Sequence, residues 1–499
     1  MSDLITDVEE LVTRAVALCR EPHTERKLRA AEQRLREPLR VAIAGKVKAG
    51  KSTLLNALVG EQLAPTDAGE CTRIVTWYQY GQTYRVTMHM IDGTRRRASF
   101  TREGGAIEVD LKGMETEKIE RMVVEWPTQR LADMTLIDTP GVASIDTMVS
   151  DRTLAFLTPD DDRPVAADAV LYLMKHMHAD DLLFLEAFHD DELAHPSPVN
   201  AIGVLSRADE VAVGRPDAMR VAARIAQRYR ADDRLRRLCQ TVLPLAGLLS
   251  ETAATLTQDE YEALELLAGE DRKQIDALML SADRFVAESA DSTVPPLVRR
   301  HLLDRLGMFG IRVALPLIRQ GRTETASVLA SRLAAKSGIV DLRQELLERF
   351  AERRDVLRAR SVLLAVERLA GDATGPAAVE LRAEIERIRV GAHALAEIRL
   401  LNDHRRGLVS FTGVDSEEVE RLLGSEGVSI TARLGLPPGA DPATIRAALL
   451  AEIERWRRTG DHPLATREAA DAAALLVRTC EGALSELGAG AERRDVSLL

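Results

Sequence analysis

Residues 45–52 read Gly45-Lys46-Val47-Lys48-Ala49-Gly50-Lys51-Ser52, the pattern GxxxxGK[ST]. This pattern demands a particular local fold. A strand must deliver the chain into a loop whose backbone N–H groups close around a phosphate. A helix must then start at the lysine and aim its positive end at the same anion. The flanks meet both demands, since 39–44 (LRVAIA) is a short β-branched run and 54–60 (LLNALVG) continues as an apolar helix. Glycines at both ends let the backbone of Lys46, Val47, Lys48 and Ala49 wrap the ligand. Lys51 is placed to reach β- and γ-phosphates and the Ser52 hydroxyl to ligate Mg²⁺, with Thr53 following in the first helical turn.

Around this loop the texture of the chain changes twice. In residues 1–36, Leu4, Val8, Leu11, Val12, Ala15 and Val16 recur at helical spacing, and Glu37-Pro38 ends the run, which predicts one N-terminal helix. From 38 to about 250 strands alternate with helices, the strands being expected at 39–44, 73–80, 84–91, 121–126, 134–138, 168–173, 201–206 and 241–245. Asp92-Gly93 between two strand-like runs is a hairpin signal. Such alternation predicts a mostly parallel sheet with helices on both faces. Beyond 250 the strand signal vanishes, and 258–289, 296–319, 322–336, 338–370, 376–402, 416–424, 442–458 and 464–487 read as helices. The stretch 338–370 alone would span about 50 Å at ~1.5 Å per residue. The expected fold is therefore an α/β P-loop domain over 38–250, inserted in an elongated all-α helical bundle formed by 1–37 and 251–499.

Two further motifs follow the loop in order. Asp138-Thr139-Pro140-Gly141 closes the strand 134–138. An acid at that strand end can hold Mg²⁺, and the Gly141 N–H can bond a γ-phosphate and register its loss. After the strand 201–205 comes Ser206-Arg207-Ala208-Asp209. This matches the [NT]KxD guanine-reading motif in its aspartate, which accepts both guanine N–H groups, but Arg207 replaces the lysine. The stem of Arg207 would cover the base, and 243–247 is where a base-covering loop would lie. An ATP-using P-loop enzyme is the reading that Asp209 argues against.

The bulk numbers exclude other classes. A net charge of -11 disfavours broad electrostatic binding to nucleic acid or anionic lipid. Cys19, Cys71, Cys239 and Cys480 form no CxxC pair, which argues for reduced thiols and against a zinc site. No run approaches the roughly 20 apolar residues of a membrane span, and the acidic start MSDLITDVEE does not read as an export signal.

With P-loop, Asp-Thr-Pro-Gly and base motif in this order, the chain resembles the dynamin superfamily, and within it the isoniazid-inducible dynamin-like proteins of mycobacteria. The stretches AGKVKAGKSTLLNALVG, APTDAGECTRIVTW, DTPGVAS, SRADE and RLGMFGIR carry the resemblance. It implies a GTPase using GTP and Mg²⁺, with Thr72 in switch I completing the metal shell and positioning the attacking water. Val142 follows the Asp-Thr-Pro-Gly motif and has no amide, which resembles the dynamin pattern in which head dimerisation completes the site. Lys48 stands where eukaryotic dynamins carry a cation-holding serine, which makes it a candidate catalytic residue. The resemblance further implies self-association through the heads, a related dynamin-like protein as a possible partner, and membrane remodelling from the cytoplasmic face of the plasma membrane. The apolar residues Leu408, Val409 and Phe411, following Arg405 and Arg406, are the candidate lipid contact. The alternative is a soluble GTPase switch whose helical part binds a protein.

Overall fold

The computed structural model describes residues 3–19, 21–64, 74–103, 106–111, 114–140, 167–177, 181–182, 185, 200–288, 292–351, 353–371 and 376–496. Ten strands form one sheet: β1 (Leu39–Gly45), β2 (Thr76–Tyr80), β3 (Arg85–Met90), β4 (Arg95–Glu103), β5 (Ala106–Asp110), β6 (Ile119–Trp126), β7 (Met134–Asp138), β8 (Ala169–Met174), β9 (Ala201–Leu205) and β10 (Val242–Pro244). Their order is β10-β9-β8-β1-β7-β2-β6-β3-β4-β5. From β10 to β7 every neighbour is parallel, as is the pair β2–β6. The pair β2–β7 and the succession β6-β3-β4-β5 are antiparallel. Short connections join β3 to β4 and β4 to β5, which allows only antiparallel pairing there, whereas longer connections link the strands of the parallel core. β1 and β8, covered on both faces, are almost continuously buried, which is why they read as apolar runs.

The hairpin signal at Asp92-Gly93 implies a strand after it but no range was expected for that strand, β4, and β5 was not expected at all. β4 lies between β3 and the edge strand β5, and it starts Arg95-Arg96-Arg97, all exposed, so it carries little of the apolar pattern that marks a buried strand. The hairpin at Asp92-Gly93 is present, with Asp92 Oδ1 accepting from Thr94 N at 2.8 Å and Gly93 at φ 83°.

The single N-terminal helix is two: α1 (Asp3–Leu18) and α2 (Pro22–Arg34). Pro22, which cannot continue a helix but suits its first turn, makes the break. On the sheet face away from the phosphate helix α3 (Lys51–Val59) lie α4 (Ala218–Arg230) and α5 (Asp233–Leu238). The run 258–289 is three helices, α7 (Gln258–Gly269), α8 (Arg272–Leu278) and α9 (Ala282–Val286), preceded by α6 (Gly247–Thr255). They share a core with α10 (Pro296–Arg319) and α11 (Ala326–Ser337).

The 50 Å helix expected over 338–370 does not form. It is broken into α12 (Ile339–Glu345), a π-helical turn over Leu346–Ala351, and α13 (Arg354–Gly371). The reason is burial against the head. Ile339, Leu342, Leu346, Phe350 and Leu357 lie in the same core as Leu54, Leu55 and Leu58 of α3, so the apolar core of the head does not end near residue 250. Gly338 permits the turn into α12, because at φ 85° a Cβ there would meet the Pro244 carbonyl oxygen at 2.3 Å.

α13 and α14 (Pro376–Gly391) pack with α1 and α2, so the two chain segments flanking the head share one helical core. The expected helix 376–402 stops at Gly391 and restarts as α15 (His393–Arg405). It joins α16 (Ser416–Leu422), α17 (Ile430–Leu434), α18 (Pro442–Gly460) and α19 (Arg467–Val496) around Trp456.

Burial of 339–357 in the head yields a stability prediction. Phe350→Ala is expected to lower the unfolding free energy by about 3–5 kcal/mol in urea denaturation. Val379→Ala, at an exposed position of α14, should change it by less than about 0.5 kcal/mol.

Candidate nucleotide site

β1 delivers the chain at Gly45 beside β8, with Gly45 paired to Leu173. Only glycine fits there: φ is 147° and a Cβ would sit 2.5 Å from the Leu173 carbonyl oxygen. The loop tightens through Ala49 N donating to Lys46 O at 3.1 Å, and Lys48 and Gly50 both take positive φ before α3 begins. Lys51 is partly buried at the first turn of α3, and its Nζ donates to Gly45 O at 3.2 Å and Lys46 O at 3.4 Å. Burial pushes its pKa below the usual lysine value, while Asp138 opposes that shift.

Asp138 ends β7 directly beside β1, in register with Ile43. Ser52 Oγ donates to Asp138 Oδ2 at 3.1 Å. Asp138 Oδ1 is sealed from solvent and has no hydrogen-bond partner among the described residues. Burial raises this carboxyl to about 6, with Lys51 and the Ser52 hydroxyl pulling the other way. A hydroxyl and a carboxylate with one unmatched oxygen suit a hard divalent cation. Thr139 is tied back through its Oγ1 to Ile43 O at 2.8 Å, which fixes the strand end.

The base motif converges on the same loop. Arg207, at φ 52°, donates from Nη2 to Lys48 O at 3.0 Å and from Nη1 to Glu210 Oε1 at 2.7 Å. Burial raises the Asp209 carboxyl above its usual range. Ser206 Oγ is buried and has no hydrogen-bond partner among the described residues. Val47 and Lys48 are exposed, Ala49 is buried, and the Thr53 side chain lies against Gly247 of α6. Thr72 and Gly141 lie outside the described residues.

A family model described as "Dynamin family" matches residues 41–204. Isoniazid-induced protein IniC of Mycobacterium tuberculosis is 39% identical over 456 residues, covering 91% of this chain and 92% of that protein. The chain belongs to the dynamin family. A bacterial dynamin-like protein of Nostoc punctiforme is 34% identical over 114 residues, 21% of this chain and 16% of that one. A solved chain of an oligomerised bacterial dynamin pair, described as a mechanism for long-range sensing and tethering of membranes, aligns over 99% of this chain at 14% identity and TM-score 0.34; this chain spans 62% of it. The head is thus a dynamin-family GTPase domain, and its ligand is guanine nucleotide.

Two side chains around the dynamin P-loop escaped the sequence reading. Asp181, almost fully buried, lies 3.6 Å from Lys46 Nζ and accepts from the Tyr172 hydroxyl at 2.8 Å. Arg343 of α12 donates to Ala57 O at 2.5 Å near the end of α3. Neither sits in a motif, and only the fold brings them near.

The candidate lipid loop is corrected. Phe411 is 8% exposed and packs edge-on to Trp456 at 5.0 Å, while Val409 is partly buried, its carbonyl facing His404 Nδ1 at 3.0 Å. Arg405 is buried against Glu420, with Nε and Nη2 each 2.8 Å from Oε2. An aromatic neighbour at 456 and an acid at 420 claim these groups for the helical core, so of the three apolar residues only Leu408, 61% exposed, faces solvent. No helix among the described residues is long and apolar enough to cross a membrane.

Lys51→Ala is expected to weaken GTP binding about 100-fold or more, because two charge-assisted contacts are lost. Its unfolding midpoint should shift little, since the loop loses only bonds to two carbonyls. Calorimetric titration with a parallel thermal melt reads both; near-normal affinity would remove Lys51 from the site.

Proposed function

We propose that the chain hydrolyses GTP to GDP and phosphate in a magnesium-dependent reaction completed by a second head, acting at the cytoplasmic face of a membrane. The convergence of Lys51, Ser52, Asp138 and the 206–209 loop on one turn carries this reading. P-loop N–H groups and Lys51 hold the β- and γ-phosphates, and Asp209 accepts the guanine N–H pair, whose hydrogen bonds favour its ionised form against burial. Arg207 ties the base loop to the P-loop through Lys48 O, so base and phosphate sites share one frame. Ser52 and Asp138, with Thr72 by resemblance, are the groups that would hold the magnesium ion. Bound there, it would neutralise charge growing on the phosphate oxygens as the bond from the γ-phosphorus to the bridging oxygen breaks. Gly141, by resemblance, donates its N–H to the γ-phosphate, and Thr72 orients the attacking water.

Val142 supplies no side-chain amide to assist that water. The missing group must come from elsewhere, and pairing of heads supports this most simply. Turnover per molecule is therefore expected to rise with protein concentration, and further on liposomes that gather the heads. A flat specific activity over a roughly hundredfold dilution series would count against activation by pairing.

Burial of Phe411 and Arg405 favours the second reading, a soluble switch whose helical part binds a protein, unless many copies of Leu408 act together. Co-sedimentation with liposomes, with and without a GTP analogue, separates the two.

Lys48 is the remaining candidate. Its backbone is fixed by Arg207 while its ammonium, exposed at the loop, bonds no described residue. We infer that it replaces a monovalent cation beside the phosphates. Wild-type turnover should then be indifferent to K⁺ versus a bulky organic cation, and Lys48→Ser should slow it about 10-fold or more. A strong K⁺ requirement in the wild type would sink the assignment.

A further inference from the structure

The stretch RLGMFGIR, from Arg305 to Arg312, has no part in the nucleotide site described above. It lies within α10, and the helix is not continuous there. Gly307 takes φ 62° and ψ 172°, so the chain changes direction between Leu306 and Met308. Such backbone is open to glycine and costly for other residues. Past the kink, Gly310 is buried, and a Cβ on it would come within 3.0 Å of Leu249 Cδ1 on α6. A glycine at 310 therefore lets α6 lie close against α10. α6 begins at Gly247, the last residue of the 243–247 loop, and Ala246 and Leu249 are buried in one core with Phe309.

The second base loop reaches the same helix. Arg207, Ala212 and Gly214 take positive φ of 52°, 56° and 65°. Two of them are not glycine, so the turn that carries Asp209 holds a conformation that needs support from its surroundings. Arg312 supplies some of it. Its Nη1 donates to Gly214 O at 2.8 Å, and its Nη2 donates to Met279 O, just past α8, at 2.8 Å. Gly214 is buried in a close three-way contact. A Cβ there would have Arg312 Nη1 at 3.5 Å, the Asp209 carbonyl oxygen at 3.7 Å and Phe309 N at 3.9 Å. Ala208 N donates to Leu245 O at 3.1 Å, which joins the two loops to each other. A planar guanidinium spanning two carbonyls fixes distance and direction together, which a flexible ammonium does not.

We propose that Arg312 is a positioning residue for guanine recognition: by fastening the 211–214 turn to α10, it sets where the Asp209 carboxylate stands. This deepens the proposed GTPase reading and rests on it. The effect on the base is carried by the backbone between Gly214 and Asp209. Guanine differs from hypoxanthine only in its 2-amino group, which supplies one of the two N–H donors assigned to Asp209. A displaced carboxylate therefore weakens GTP at two bonds and ITP at one, so the preference for GTP shrinks. The phosphate loop is left as it was, so turnover of bound GTP is spared.

The experiment measures affinity for non-hydrolysable GTP and ITP analogues, turnover at saturating GTP, and thermal unfolding of the full chain. The variants are Arg312→Ala, Arg312→Lys and, as a control, Arg319→Ala. Arg319 is on the same helix and makes the same kind of contact, from Nε to Ala268 O at 2.8 Å and from Nη2 to Glu270 O at 3.1 Å. The segment it holds carries no base motif. Arg312→Ala is expected to weaken GTP binding about 10-fold and ITP binding about threefold or less, with kcat within about twofold of wild type. Arg312→Lys keeps the charge and loses the fork, so its GTP-to-ITP ratio should fall between those of Arg312→Ala and wild type. Arg319→Ala should keep the wild-type ratio. An unchanged ratio in Arg312→Ala, or in Arg312→Lys where the alanine variant does not fold, overturns the inference. Equal weakening of GTP and ITP, or the same change of ratio in Arg319→Ala, also overturns it, because general loosening of the helices has that signature. A wild type that binds GTP and ITP alike overturns the place of Asp209 in the proposed function and this inference with it, whereas a discriminating wild type with unaffected variants overturns this inference alone.

Discussion

The nine-residue helix α3 is gripped at both ends by chain that returns from far away in sequence, and the rest of the molecule is organised around that grip. Its N-terminus carries Lys51 and Ser52 against the end of β7. Near its C-terminus, Ala57 O accepts from Arg343, and the Arg130 guanidinium fills the space beside Gly60. A helix this short has little intrinsic stability, so its position is set by contacts on its flanks. Leu54, Leu55 and Leu58 bury against the sheet and against Leu342, Leu346 and Phe350. Cations at the carbonyl end also favour the helix dipole that points at the phosphate loop. Burial depresses the Arg343 guanidinium to about 10, with Arg130 adding repulsion, and the hydrogen bond to Ala57 O offsets that desolvation.

The opposite end of the sheet carries a second junction. Asp168, just before β8, accepts from Arg34 of α2, from Arg40 N at 2.7 Å and from Ser361 of α13 at 3.1 Å. Arg40 in turn pairs with Glu37 at 2.6 Å and lies over Trp77, whose ring also meets Arg121 at 4.9 Å. Burial lowers Arg34 to about 8, and Arg40 adds to that shift, so this cluster is stable only while its carboxylates stay in place. The head leaves and rejoins the helical part here, and the chain entering β1 and the chain in α13 meet on one buried acid.

The distal helices also return to the head. Arg236 of α5 and Arg405 of α15 share Glu420 of α16, which together hold that carboxyl below its usual range. Arg353, between the π-helical turn and α13, donates to the carbonyls of Leu423 and Gly424 at 2.8 and 2.7 Å. These contacts bury the basic residue that the sequence places in a lipid-facing loop. A basic residue next to apolar ones describes both a membrane loop and a loop packed on acidic neighbours, and the pattern by itself holds no information on which surrounds it.

What the sequence determined were features that local chemistry dictates. The P-loop needs its glycines and lysine at fixed spacing, the central strands are apolar because both faces are covered, Asp138 closes β7 beside the loop, and Asp209 lies in the turn that follows β9. Thus the α/β head and most of its strand starts were legible, and Lys51, Ser52 and Asp138, nominated by motif, meet at one turn, while Thr72 and Gly141 stay as readings of the motif alone. Tertiary structure decided what depends on distant chain. β4 opens on three exposed arginines and β5 is only five residues long, so their apolar signature is weak although Ala98 and Ile107 are buried, and Pro22 and the π-helical turn at Leu346–Ala351 divide what periodicity joins. Helical spacing reports that one face is buried, never against what, so 339–357 read as a free bundle helix although it packs on the head. Arg312 and Gly214, Lys46 and Asp181, and Arg343 and Ala57 are pairs joined only by folding. A buried polar group must be satisfied, but sequence gives the need and not the partner.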